Sequence, residues 1–550
     1  MKKILIFAFL LFAFLGFSQS KKMVYSAEQQ YVDEEKHPGA TVLIGNVKMI
    51  HEGAVLTCKQ ALYYQKQNFF KALENVVIKQ GDTITQTSDY LDHDANSKQI
   101  LSWGNVVLKD PEMTLTADTL QFDRLNQKLY YRSFATIRDQ TNTLNSKNGN
   151  YYLETKKFTA TTKVTLVNPE HNLVSNHLDY YTNSGLAYLY GPSTITNSQN
   201  ENRMYCERGF YNTKTDISYF VKNAKLYLKE RTVEGDSLYY DKKKGFASAT
   251  NNIQVIDTLK NFVTRGNYAE IFEENDSLFI IKKAVAISIV EKDSTFIHGD
   301  TLLVTGIPEK RIVRTYHNVK IFKSDLQGKC DSIYTDQQTG ITKMFTNPVL
   351  WSEGNQITGD TIHLLSNTET EKLDSLKVLN NAFIISKDSV SKNDFNQIKG
   401  RNMFGKFQDN KLNLLLVKGN AESIFYNRNE ETDSIETITK EISSNIEFTL
   451  EEGQVNTIKY LKTSEGKTYP PSMFTEDSRK LDGFIWRTSE QPKTKEDIFK
   501  KSKIRSKSRN NGKGKSEGEK VPKKMNKDII ESPLNFDPEK NSKKNSSNNE

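Results

Sequence analysis

Six aspartates recur along the chain in similar surroundings: Asp89, Asp118, Asp236, Asp300, Asp331 and Asp360. Carboxylates repeated at a steady interval could hold a ladder of calcium ions, since hard cations take oxygen ligands. The Gly-Gly-x-Gly-x-Asp spacing of calcium-binding rolls is missing, however. A corner or turn-capping role suits these residues better, because Asp side chains bond nearby backbone groups. The eight histidines (37, 51, 93, 171, 177, 298, 317 and 363) are scattered, with no His-Glu-x-x-His and no Gly-x-Ser-x-Gly. Gly514-Lys515-Ser516 imitates the end of a phosphate-binding loop, but Arg509 stands where that loop requires Gly. Cys58, Cys206 and Cys330 are too few and too far apart for a disulfide scaffold or a four-ligand zinc site. They permit at most one disulfide. No catalytic residue, metal ligand or cofactor is expected.

The elements that carry those aspartates repeat. Each unit has an apolar stretch after Asn or Gly-Asn, a variable polar loop, an Asp with an aromatic-rich stretch, and a polar turn. Gly45-Asn46-Val47, Asn75-Val76-Val77-Ile78, Gly104-Asn105-Val106-Val107-Leu108 and Asn223-Ala224-Lys225-Leu226 show the first part, as do Asn318-Val319 and Asn381-Ala382. Asn46 to Asn75 is 29 residues and Asn75 to Asn105 is 30. Asp89 to Asp118 is 29, Asp300 to Asp331 is 31 and Asp331 to Asp360 is 29. Asn148, Asn176 and Arg208 occupy the Asp place in units that lack it. About a dozen units run from near residue 39 to near residue 425.

Each unit reads as two strands. Leu120-Gln121-Phe122 and Lys225-Leu226-Tyr227-Leu228 alternate apolar and polar with the period of a half-buried strand. Asp94-Ala95-Asn96-Ser97, Asp123-Arg124-Leu125-Asn126 and Asp241-Lys242-Lys243-Lys244-Gly245 supply turns. A Gly-Asn inside the longer strand predicts a bulge or bend. One such pair cannot bury its apolar face alone, so stacked units must share a lengthwise interior. The expected fold is all-β: an elongated, repetitive, antiparallel β-jelly roll, open-sided. A parallel β-helix is the alternative, disfavoured because short turns cannot join parallel strands.

The ends differ from the body. Lys2 and Lys3 precede an apolar run from Ile4 to Phe17, too short to span a bilayer as a helix, and Gly16-Phe17-Ser18 suits cleavage. Residues 1–18 therefore read as a signal peptide and 19–38 as a linker. Repeats are expected over 39–205 and 206–425, a mixed region with short helices over 426–500, and a disordered basic tail over 501–550. Within 426–500, residues 455–461 read as one more strand. From Lys500 to Lys527 twelve Lys and Arg face two Glu, a net of +10 against +8 for the whole chain, which leaves the remainder near −2. Such a tail suits an anionic membrane surface, at about 1 kcal/mol per cation near it. Behind an export signal, nucleic acid is not an expected partner. The 25 Tyr and 29 Phe exclude general disorder, and 12 Pro exclude collagen-like chains.

The repeat Gly-Asn-Val-x-[Leu/Ile] followed by Thr-Ala-Asp-x-Leu-x-[Tyr/Phe]-[Asp/Asn] resembles the OstA/LptA-like lipopolysaccharide-transport family. Gly104–Leu108 with Leu115-Thr116-Ala117-Asp118-Thr119-Leu120-Gln121-Phe122-Asp123 is the nearest stretch. Leu481-Asp482-Gly483-Phe484-Ile485-Trp486 and Lys495-Glu496-Asp497-Ile498-Phe499 resemble the C-terminal end of long OstA-like proteins of the Bacteroidota type. The resemblance covers roughly residues 39–425. It implies a periplasmic protein, with association to the outer membrane a further expectation. It also implies an apolar β-groove that shields lipid A acyl chains of lipopolysaccharide, and partners from the same transport bridge joined by edge-strand pairing.

Each buried CH₂ is worth about 0.8 kcal/mol, so a moving acyl chain needs continuous cover. The expected inward residues are Val76, Ile78, Val106, Leu108, Leu120, Phe122, Val164, Leu166, Leu178 and Tyr180. The competing readings of the repeats are an exported structural or adhesive β-protein and a carbohydrate-active β-helix enzyme. No carboxylate, Lys or Arg cluster points to the enzyme.

Overall fold

Most of the long strands are bent in the middle, many of them by two consecutive residues with left-handed backbone. In the computed structural model Gly104 and Asn105 have φ of 75° and 48°, Lys222 and Asn223 59° and 56°, and Asn251 and Asn252 53° and 47°. Left-handed geometry costs most residues about 1–2 kcal/mol, and Gly and Asn tolerate it best, which is why Asn recurs there.

The structure describes residues 23–500 apart from positions 52, 200–201, 229–230, 258, 260, 291–292, 308–309, 371, 389–390, 392, 410, 430 and 452–453. The chain divides into Met1–Ser502 and Lys503–Glu550, and the described residues belong to the first unit. The signal peptide of residues 1–18 and the basic tail of 501–550 lie outside them.

Among the described residues, 33 strands form one hydrogen-bonded ladder. Lys157–Val167 illustrates the rule. Its residues 157–161 pair with Tyr181 back to His177, and 164–167 with Ser175 back to Asn172, all antiparallel. The break falls at Thr162 and Lys163, both at positive φ. Each bent strand thus contributes one half to each of two facing half-sheets. One is joined at its rim by tight hairpins such as residues 94–99 and 212–217, here called the turn rim. The other is joined by loops such as 109–114 and 167–171, the loop rim. Four times the bend becomes a full interruption: between Lys128–Tyr131 and Ala135–Arg138, between Thr143–Ser146 and Asn148–Tyr152, between Ile341–Phe345 and Val349–Ser352, and between Asn355–Thr358 and Thr361–Ser366. This is the elongated antiparallel jelly roll, and no described strand pair is parallel. Residues 205–206 and 425–426 both fall inside strands, Arg203–Asn212 and Lys411–Arg428. The ladder continues through Ile435–Glu451 and Gln454–Tyr469, beyond the stretch expected to hold repeats. Four short 3₁₀ turns follow between Pro471 and Phe499.

The recurrent aspartates sit at the corners. The side-chain amide of Asn105 donates to Asp89 at 2.9 Å, Asn318 to Asp300 at 2.7 Å and Asn252 to both Asp236 oxygens at 3.1 Å. Asn381 reaches Asp360 in the same way at 3.1 Å. In the unit assigned to Arg208, the register puts Glu207 there instead, accepting from Asn223 at 2.7 Å. The residue just before the acid is small: Ser88, Cys206, Gly299 or Cys330, and Cys58 holds the same place before Lys59. The inside of the bend has no room for more. A Cβ on Gly299 would lie 2.4 Å from Thr315 Cγ2. All three cysteines are free and buried, and Cys58 and Cys330 give their thiol hydrogens to the carbonyls two residues on.

Hairpin turns follow the expected chemistry. Asp94 Oδ1 accepts from the backbone N–H of Asn96 and Ser97, Asp123 from Asn126 and Asp241 from Lys244.

Candidate functional site

Between the half-sheets lies a continuous apolar interior. One cluster spans Leu43 to Ile100, a second Val106 to Val313 and a third Val319 to Phe448. Phe122 packs against the first two and Ile297 against the last two, so the clusters join end to end. All ten residues expected to face inward are here. Val76, Val106, Leu108, Leu120, Val164, Leu166, Leu178 and Tyr180 are buried. Ile78 and Phe122 are half-buried against the same clusters. Their side chains pack on one another: Val164 and Leu178 are both 0% exposed. An acyl chain could occupy this space only if the half-sheets moved apart.

Opposite the corners, the two rims face each other along a seam. Among the described residues, chain connections at each rim stay within one half-sheet, and the contacts across the seam are made by side chains. The Tyr151 hydroxyl donates to Asp110 at 3.4 Å, and Lys156 pairs with the same carboxylate at 3.2 Å. The Tyr180 hydroxyl donates to Asp139 at 2.5 Å and accepts from Asn142 at 3.0 Å. Tyr211 meets His171 Nδ1 at 2.8 Å and Asp216 at 3.1 Å. Lys242 pairs with Glu170, Arg231 with Asp276 at 2.6 Å, and Arg311 with Asp257. Further toward the N-terminus Arg124 approaches His51 at 3.4 Å. A small recess, partly open to solvent, is lined by Arg231, Asp257, Thr264, Asp276 and Arg311.

The physical state of these groups suits a closed seam. Burial, reinforced by the neighbouring acids, pushes the Tyr151, Tyr180 and Tyr211 hydroxyls well above their usual range, so they remain proton donors. Burial, with Lys242 nearby, lowers the His171 pKa and keeps its ring neutral. Nδ1–H donating to Tyr211, Tyr211 donating to Asp216 and Asn197 donating to Nε2 satisfies the network. Glu170, His171 and Asp216 bring ligand atoms within 4.8 Å of one another. Both His171 nitrogens and the Glu170 carboxylate are already engaged, so the trio serves the seam rather than a metal.

Only Tyr180 of these tyrosines was expected inside. Tyr151, Tyr211 and Tyr240 occupy the same place in neighbouring units, at intervals of 29, 31 and 29 residues along the series. That spacing was a usable signal. The cross-seam partners were not, being 38 to 73 residues away.

A second feature lies outside the interior. Residues 471–500 run back along the outer face of the loop half-sheet. Phe474 and Leu481 pack with Phe383, Ile385, Ile424, Tyr426 and Ile438. Ile498 packs with Val263, Val285 and Ile287. Gln397 and Gln356 pin the strap: Leu481 N–H donates to Gln397 at 2.9 Å and Arg487 N–H to Gln356 at 2.6 Å. The Leu481–Trp486 and Lys495–Phe499 motifs belong to this strap. Among the described residues, no helix is long and apolar enough to cross a membrane.

Bent strands, corner Asn–acid pairs and a shared apolar interior define a repetitive antiparallel β-jelly roll. A comparison with protein families matches the family described as OstA-like protein over residues 19–176 and 160–236. Over that span the chain is similar to OstA-like proteins. Among solved structures it is similar to the crystal structure of LptH from Pseudomonas aeruginosa, described as the LptA-homologous periplasmic component of the lipopolysaccharide transport device. That similarity has 14% identity and a TM-score of 0.19, covering 26% of this chain and 99% of LptH. None of the curated proteins matches this chain.

Proposed function

We propose that this chain is a periplasmic, non-enzymatic lipopolysaccharide carrier that takes lipid A acyl chains between its two half-sheets during outer-membrane assembly. The observation that carries the reading is the apolar interior, continuous from Leu43 to Phe448 in an OstA-like chain. Aliphatic and aromatic side chains line it along its length, so a chain held at one point meets an apolar surface at the next. Val76, Ile78, Val106, Leu108, Leu120, Phe122, Val164, Leu166, Leu178 and the ring of Tyr180 would form the lining.

Partners of the same fold would join by strand addition. Among the described residues Gln454–Tyr469 pairs only with Ile435–Glu451, leaving its other edge open for a further strand. Val24–Ser26 and Gln29–Val32 make the opposite edge. The basic tail would rest on anionic membrane surfaces.

The test is photocrosslinking in cells. Probes at Leu120 or Phe122 should label lipopolysaccharide, and a probe at Gln121, which reaches outward to Gln99 at 3.3 Å, should not. Equal labelling from Gln121, or no lipid on the purified chain by mass spectrometry, would refute the carrier.

A further inference from the structure

We propose that the seam between turn rim and loop rim is a lateral entrance for the acyl chains of a phosphate-bearing amphiphile, latched by Tyr151, Tyr180 and Tyr211. The inference rests on the carrier reading above and names the route by which that interior is filled.

The backbone crosses between the half-sheets only at the corners, on the side away from the seam. Parting the rims therefore breaks no ladder hydrogen bond. What holds the rims together is side-chain contact, and the three tyrosines are its regular component. Each places its ring among the interior residues and its hydroxyl against a polar group on the opposite rim. Such a residue can leave the acid and turn with its rim without exposing a charge.

The rim also offers what an anionic headgroup needs. Lys156 and Lys242 remain 30% and 26% exposed while paired with Asp110 and Glu170. A phosphate can take the carboxylate's place on each, since ammonium–phosphate bonds are equally charge-assisted. At the far end of the latched stretch, Nε and Nη1 of the buried Arg311 and Oγ1 of Thr264 have no hydrogen-bond partner among the described residues, and both residues line the recess described above. Those groups can donate to a further headgroup oxygen.

The decisive variant is the triple Tyr151→Phe, Tyr180→Phe, Tyr211→Phe, which keeps the rings and removes only the hydroxyls. Tyr219→Phe, at a position that packs by its ring on Phe210, is the control. Hydrogen exchange of full-length protein should rise at rim residues 139–142 and 212–216 of the triple variant, and stay unchanged at corner residues 222–224. Uptake of parinaric acid should quicken on the order of tenfold, as expected for weakening a few hydrogen bonds at once. Competition by lipopolysaccharide or by phosphatidylglycerol vesicles identifies which phosphate-bearing lipid uses the route. If the wild-type chain binds lipopolysaccharide but the triple variant loads no faster, or its rims exchange no faster, the entrance is wrong and the carrier stands. If neither protein takes up any of these lipids, both ideas fall.

Discussion

The first and last parts of the ladder solve one problem differently. Up to about Arg311, the half-sheets are tied by polar contacts across the seam. Their outer loop-side face carries residues such as Thr165, Thr194 and Lys225. From Val263 onward, the outer face carries Val285, Ile287, Phe383, Ile385 and Ile424, and the strap of 471–500 covers it. Rim contacts there run along one rim, as Arg428 to Asp388 and Ser352 to Asp325 do. The contrast is between a fastening that side chains can undo and one that would expose an apolar surface if undone. A repeat array propagates little between distant units, so both can coexist in one chain.

The comparison breaks most visibly at Arg311. Replacing it by Met leaves the Asp257 carboxylate buried without its partner. The cost should be about 3–5 kcal/mol, with Asp257→Asn in the same chain recovering much of it. Denaturant midpoints of the single and double variants check this. At the strap, Leu481→Ala should cost about 2–5 kcal/mol. Its signature is position: protease sites should open in 380–440 while the first 250 residues keep their protection. Simultaneous loss of protection throughout would erase the distinction between the two parts.

Acid should act on the seam side. Burial, with Arg124 and His51 beside it, holds His93 down to about 3 from 6.5. The unfolded chain therefore takes up the proton first as pH falls below about 6.5. Stability is then lost by up to about 1.4 kcal/mol per pH unit for this group, until the folded form also protonates near 3. His171, lowered for the same reason, adds to the loss. A midpoint that is flat from pH 7 to 4 would contradict this. A smaller loss, about 1–2 kcal/mol, is expected for Asn252→Ala at a left-handed corner, visible as a lowered melting temperature. Lys59→Ala should leave the midpoint unchanged, since its bridge to Glu74 is exposed on both sides.

Much of this architecture was legible. Asn before an apolar run marked many of the bends, because few side chains accept left-handed backbone. The Asp placed one strand earlier marked its partner, and strict alternation marked the inward set. Register was harder. Arg208 was assigned the corner that Glu207 occupies, since neighbouring polar residues look alike without the ladder. The seam was hidden because its pairs join units far apart in sequence, at distances set by the twist of the stack. The strap's docking face was hidden for another reason. Phe383 and Ile385 alternate with Ala382 and Ile384, so the strand is apolar on both sides and its alternation disappears.

The crowded bends also decide the fate of the sulfur atoms. Burial pushes the Cys58 thiol up to about 11 and those of Cys206 and Cys330 up to about 12. The reactive anion is thus scarce at any physiological pH. Each cysteine is buried at its bend, so a bulky thiol reagent meets packed structure before it meets the sulfur. Small enough for the bends, these three free thiols would stay chemically silent even in oxidising surroundings.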